Sequence, residues 1–139
     1  MRSRLAATLL LLAACATVPV VEQPASALDW DAVADVEVIQ ILTSDADGDT
    51  RVTPVWFVRV AGATYLRTSG SRWLANLQRD PDVTVRVESV DHPQRAQVVE
   101  DPRIVDAVEN ASREKYGFQN TLVRLVRTGS IDVIRLDPR

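Results

Sequence analysis

The residues best suited to chemistry stand in one run, Tyr65-Leu66-Arg67-Thr68-Ser69-Gly70-Ser71-Arg72-Trp73. A strand pattern ends here, a glycine-containing loop follows, and a helical pattern begins. The first N–H groups of a helix have no intrahelical acceptor and attract anions. Arg67 and Arg72 can add positive charge, and Thr68, Ser69 and Ser71 can add hydroxyl donors. The run therefore suits a phosphate group. A well-capped surface helix with exposed arginines is the plainer reading of the same residues, and the residue types alone leave both open.

Other candidate chemistries are weaker. Asp45, Asp47 and Asp49 alternate as at the start of a calcium loop. Thr50 stands where that loop needs Gly, and Trp56 where it needs its closing Glu, so an acidic hairpin turn is expected instead. One Cys and one His exclude a zinc site built from those residues within one chain. A nucleophile–base pair would have to use His92, which lies between Asp91 and Pro93 in an expected turn. Trp30, Trp56 and Trp73 could stack on a flat ligand, with core packing as the default. Tyr65 and Tyr116 read as core-edge residues, and Arg124 and Arg127 as a solvated pair.

Charge narrows the partners. Fifteen of the sixteen basic residues are Arg, Lys115 being the exception, and the formal net charge is −3. No basic run or stripe forms, so nucleic acid is not an expected partner. With 139 residues, 46% hydrophobic and 25% charged, the composition is that of one globular domain rather than a disordered chain.

The N-terminus reads as an address. Arg2 and Arg4 precede an apolar run from Leu5 to Ala14, the layout of a secretory signal and too short to span a bilayer. Leu12-Ala13-Ala14-Cys15 resembles a bacterial lipobox. That resemblance implies diacylglyceryl attachment to Cys15, cleavage before it and a membrane anchor, with Ala16 favouring the periplasmic face of the outer membrane. Three parts follow: a signal peptide over 1–14, a lipidated Cys and Pro-containing tether over 15–27, and a folded unit over 28–139.

The elements that must position the Thr68–Trp73 run can be read from pattern. Asp29 is an expected N-cap for a short helical segment. Val36 to Thr43 reads as a buried strand, and Asp47-Gly48 as a hairpin turn. Arg51 to Val60 is a strand whose middle looks covered on both faces. Pro54 gives it an edge or bulge. Ala63 to Thr68 is a third strand. Ser71 caps a helix from Arg72 to about Arg79, which Asp80-Pro81 stops. Val83, Val85 and Val87 alternate with polar residues as a half-buried strand. Gln94 to Glu100 is a fifth strand. Asp101-Pro102 opens a longer helix that Gly117 ends. Phe118 to Thr128 fits either a helix or a strand, and Ile131 to Leu136 is the last strand. Consecutive strands joined by turns point to antiparallel pairing. The expected fold is mostly β, a six-stranded antiparallel split β-barrel with peripheral helices, because closure removes exposed edges.

Two segments, in this order, resemble a known superfamily. They are Asp47-Gly48-Asp49-Thr50-Arg51-Val52-Thr53-Pro54-Val55-Trp56-Phe57 and Thr68-Ser69-Gly70-Ser71-Arg72-Trp73-Leu74-Ala75-Asn76-Leu77. Arg79-Asp80-Pro81-Asp82-Val83-Thr84-Val85 and Glu114-Lys115-Tyr116-Gly117 add to the match. The chain resembles the split β-barrel flavin-binding proteins, which include pyridoxamine 5′-phosphate oxidase-like proteins and deazaflavin-dependent nitroreductases.

The resemblance implies a cofactor site, often shared across a homodimer. Thr53, Pro54 and Val55 would lie against the isoalloxazine, largely through backbone groups. Thr68, Ser69 and Ser71 would bind ribityl or phosphate oxygens. Arg72 would pair with phosphate, and Trp73 and Asn76 would line the pocket. In such enzymes the flavin carries the hydride chemistry and the protein supplies position and electrostatics. The expected function is a lipid-anchored envelope oxidoreductase using FMN, or second to it a deazaflavin, on a small conjugated substrate. The alternative is a non-catalytic lipoprotein whose barrel binds a ligand or a partner. No His-Arg substrate signature for pyridoxine phosphate is present, so vitamin B6 oxidation is not expected.

Overall fold

The computed structural model describes residues 27–126 and 129–139, so the expected signal peptide, Cys15 and most of the tether lie outside the described residues, as does Arg127. Eight elements follow in order: β1 (Val38–Ser44), β2 (Thr50–Val60), β3 (Ala63–Thr68), α1 (Arg72–Arg79), β4 (Asp82–Val87), β5 (Val90–Val99), α2 (Pro102–Val126) and β6 (Asp132–Pro138). The strands close into an antiparallel barrel in the order β1-β2-β3-β6-β5-β4. The six-stranded split barrel expected from the sequence is the fold observed.

Alternation decides what lies inside. Ile39 and Ile41 of β1, Val55 and Phe57 of β2, Leu66 of β3 and Val83, Val85 and Val87 of β4 fill the interior with Ala96, Ile134 and Leu136. Trp73, Leu74 and Leu77 of α1 and Trp30 join the same core. The opposite parity on β2, β3 and β6 faces α2. There Val58, Tyr65 and Val133 pack with Val108 and Tyr116 in a second cluster.

The β1–β2 hairpin turns where expected. Asp45 N–H donates to Asp49 O (2.8 Å), and Gly48 takes a positive φ of 92°. Coverage of β2 differs between its halves. Val58 is buried beneath α2, but Val52 on the same face is 45% exposed, so the middle of β2 is not covered on both faces throughout. The edge expected at Pro54 is present. Pro54 pairs with Gln40 of β1, whereas β3 pairs with β2 only over Phe57–Val60.

Three local expectations give way to tertiary pairing. The segment after Asp29 forms turns rather than a helix. Asp29 does accept from the Asp31 and Ala32 N–H groups (3.0 and 3.3 Å). Its run is too short to offset helix nucleation, however, and Trp30 is pinned against Phe57 with ring centroids 5.3 Å apart. Asp91-His92-Pro93 lies inside β5, and the turn falls instead at Glu88-Ser89, both with positive φ. Pro93 stands opposite Thr84, in the half of β5 that has β4 beside it, while β6 pairs from Gln94 onward. A strand half with one open edge tolerates a residue that cannot donate. Gly117 (φ 50°, ψ −124°) does break α2, but helical turns resume beyond it to Val126, which removes the strand reading of that segment.

Candidate functional site

The loop between β3 and α1 is built by its own side chains. Thr68 is 2% exposed, and its Oγ1 donates to Ser71 Oγ (2.7 Å). Ser71 is extended (φ −85°, ψ 156°), and its Oγ accepts from the Leu74 N–H (3.2 Å), the N-cap expected from the sequence. Gly70 takes a positive φ of 53°, which favours a residue without Cβ. Arg72 follows on the exposed surface. Leu74 N–H is capped, and the N–H groups before it are those a helix start offers to an anion.

The β2 segment that the resemblance assigns to the isoalloxazine has a free edge. Phe57 pairs with Leu66 across β2 and β3. The β3 ladder to β2 stops at that pair. The backbone edge of Thr53–Val55 that faces away from β1 therefore has no β3 residue paired to it. Thr53 is half-buried, Pro54 exposed, and the Val55 side chain points into the core. A ligand at this edge would meet backbone groups, as the resemblance implies.

Trp73 and Asn76 face inward. Trp73 is 5% exposed and belongs to the barrel core. Asn76 is buried, and its Nδ2 donates to Thr43 Oγ1 (3.0 Å) and to Asp45 Oδ1 (2.7 Å). Asp45 also receives both forks of Arg51, from Nε (2.9 Å) and Nη2 (2.7 Å). These bonds, with weaker attraction from Arg72, hold the Asp45 carboxyl down at about 2. Sequence reading missed this network. Its one local signal was the spacing of Asp45 and Arg51 about the hairpin, since Thr43 and Arg51 are cross-strand partners.

Arg67 does not join Arg72. It points from the outer face of β3 to α2, where Nη1 meets Glu109 Oε1 at 2.8 Å. Lys115 and Tyr116 hold α2 just before its break at Gly117. The Phe57 N–H donates to Tyr116 Oη (3.1 Å), which lies 2.8 Å from Glu37 O. Burial pushes the Tyr116 hydroxyl up to about 12. Lys115 Nζ donates to Val36 O and Phe57 O (3.0 and 3.2 Å), and burial lowers its pKa. Trp56 stacks on Tyr116 with ring centroids 4.5 Å apart.

A concavity of about 280 Å³ lies between Leu28–Asp31, the β2–β3 hairpin and the end of β6. None of the site residues expected from the sequence lines it. Among the described residues no three His, Cys, Asp or Glu side chains gather as a metal site.

The donor set at the Thr68–Arg72 loop fits a phosphate-bearing cofactor. It combines an exposed guanidinium, half-buried Ser69 and the start of an eight-residue helix.

Comparison with solved structures places the fold. The heme storage protein HutZ from Vibrio cholerae aligns at 20% identity and TM-score 0.63, over 82% of this chain and 92% of that one. A conserved hypothetical protein from Mycobacterium tuberculosis aligns at 19% identity and TM-score 0.61, over 84% of each chain. An F420-H2 dependent reductase aligns at 17% identity and TM-score 0.51, over 73% of this chain and 95% of that one. No curated protein matches the chain by sequence. Residues 35–135 match the family described as F420H2-dependent quinone reductase, and this chain belongs to that family.

Proposed function

We propose that this protein is a deazaflavin-dependent reductase of small, conjugated, quinone-like molecules. The observation that carries the reading is the unpaired Thr53–Val55 edge of β2, in a chain whose family is named for that donor. When bound, a reduced deazaflavin supplies a hydride. Arg72 and the N–H groups at the start of α1 would hold its phosphate, and the β2 backbone would hold its ring. The family match puts the deazaflavin ahead of FMN. FMN remains the second reading because Arg51 is paired with Asp45, which leaves Arg72 as the exposed guanidinium of the loop.

The decisive experiment titrates the purified full-length protein with F420 and with FMN while following cofactor fluorescence. Reduced F420 is then mixed with a soluble quinone. Micromolar or tighter binding and quinone-dependent oxidation support the reading. No binding of either cofactor moves the function to the non-catalytic alternative.

Two further parts of the reading concern assembly. The outer face of β1 and β2 carries Val38 (47% exposed), Val52 (45% exposed) and exposed Pro54, an apolar surface suited to a second copy in a homodimer. A single-subunit mass in light scattering at micromolar concentration would refute the dimer. The lipobox-like Cys15 would anchor the protein to the cell envelope, since several acyl chains bind a bilayer stably. A Cys15→Ala form should leave the membrane fraction, and its continued processing and retention there would refute the anchor.

A further inference from the structure

Arginines in this molecule meet carboxylates in two ways. Arg51 and Arg86 each give both Nε and Nη2 to a single carboxylate, that of Asp45 and of Asp91. That edge of a guanidinium matches the two oxygens of a carboxylate. Arg59 departs from the pattern. Its Nη1 donates to Oγ1 of its cross-strand neighbour Thr64 (3.0 Å), and its Nη2 donates to Asp31 Oδ1 (3.1 Å). Its Nε is shut off from water and finds no acceptor among the described residues. A buried N–H without an acceptor is costly, and one on a charged group more so, which marks a place where a partner belongs.

Arg59 lines the concavity of about 280 Å³ beside the β2–β3 hairpin. Trp30, Leu136 and Pro138 give that space apolar walls. Its other arginine, Arg135, is taken by Asp137 Oδ1 (2.9 Å). The volume is far above that of one water and at the small end for an organic ligand. Asp31 is a loosely placed partner. Its side chain is 85% exposed against 25% for Arg59, and exposed ion pairs contribute little. The backbone around it is held, because Trp30 packs on Phe57 and Asp29 Oδ1 accepts from the Asp31 N–H (3.0 Å). Only the Asp31 side chain has to turn into water to free the Nε–Nη2 edge. A carboxylate arriving there replaces the one that leaves, so the charge on the guanidinium stays balanced.

We propose that this concavity is a binding site for a small organic acid: the acid's carboxylate takes the Nε–Nη2 edge of Arg59, the Asp31 side chain swings out as a gate, and the apolar part of the acid lies against Trp30, Leu136 and Pro138. The site is separate from the loop that would hold the cofactor phosphate. Thr64 and Thr68 stand near opposite ends of β3, about 13 Å apart along the strand. The two sites can therefore be filled and tested independently.

The test titrates the full-length protein at neutral pH with benzoate, with its neutral analogue benzamide and with inorganic phosphate, following the proton–nitrogen NMR signal of the Arg59 Nε–H. Benzoate should bind at millimolar concentration and move that signal, and benzamide and phosphate should each bind at least about fivefold more weakly. Asp31→Asn removes the competing carboxylate and should tighten benzoate by roughly five- to tenfold. Arg59→Lys keeps a positive charge without the two-pronged edge and should weaken benzoate by roughly tenfold or more. Thermal melting identifies a variant that fails to fold, and Asp31→Asn, at an exposed position, still gives a signed answer if Arg59→Lys does not fold. A static Arg59 signal at tens of millimolar benzoate overturns the site. So does unchanged or weaker binding in Asp31→Asn, or undiminished binding in folded Arg59→Lys. Benzamide or phosphate binding as tightly as benzoate overturns the assignment to a carboxylate.

Discussion

The two helices hold their polar groups in opposite ways. At α2, Tyr116 and Lys115 are turned toward the backbone of β2 and the segment before β1, bonding Phe57 and the carbonyls of Val36 and Glu37. At α1, the polar side chains bond one another and the Asp45 carboxylate, and Arg72 is left on the surface. The first arrangement fastens a helix to a sheet. The second builds a charged rim and keeps a guanidinium available. A buried tyrosine and an exposed arginine therefore suit different duties: the α2 seam stability, the α1 rim the proposed binding.

The largest expected effect lies on the α2 side. Tyr116→Ala removes the stack on Trp56 and the partner of the Phe57 N–H, and should cost roughly 3–5 kcal/mol of stability in urea denaturation. A loss below about 1 kcal/mol would show that the seam is not what fastens α2. Arg72→Ala should do the reverse. Its unfolding midpoint should stay unchanged, and cofactor affinity should fall by about 1.5–3 kcal/mol, the usual worth of a hydrogen bond to a charged group. Unaltered affinity would remove Arg72 from the site and blur the contrast between the two helices.

The smallest effects are in the pH limits, where the two regions should fail at opposite ends. Asp45 is depressed from 3.8 to about 2, so its contribution is present above 3.8 and is lost as pH falls from there through about 2. Tyr116 is raised from 10 to about 12, so its contribution is complete below 10 and is lost as pH rises through about 12. Lys115, lowered by burial, has the opposite alkaline sign, because loss of its charge relieves desolvation. Asn76→Ala should bring Asp45 back toward 3.8 and leave Tyr116 unmoved, as read by NMR titration. Movement of both groups, or of neither, would break the separation.

Legibility from sequence followed the range of the interaction. The Ser71 cap and the helix from Arg72 to Arg79 depend on neighbours within a few residues and were readable. So was the alternation of Val83, Val85 and Val87, because a half-buried strand writes its period into the chain. Asp91-His92-Pro93 has the composition of a turn, yet long-range pairing with β4 keeps it in a strand. For the site, the two segments expected to form it were visible as motifs. The inward facing of Asn76 was not, since its partners Thr43 and Asp45 lie far back in the chain. Tyr116 was readable as a core-edge residue, but its bond to Phe57 requires the docked helix.

The strand order also has a consequence for how the chain is made. β6 sits between β3 and β5, pairing Thr68 with Asp132 on one side and Val99 with Val133 on the other. A nascent chain that has produced everything through α2 still has two open strand edges, which are templates for pairing with other chains. The ring can close only after the last strand emerges, so completion depends on contacts distant in sequence, which form slowly. Truncation within 132–138 should therefore appear as aggregation during synthesis rather than as a modest loss of stability in a folded product.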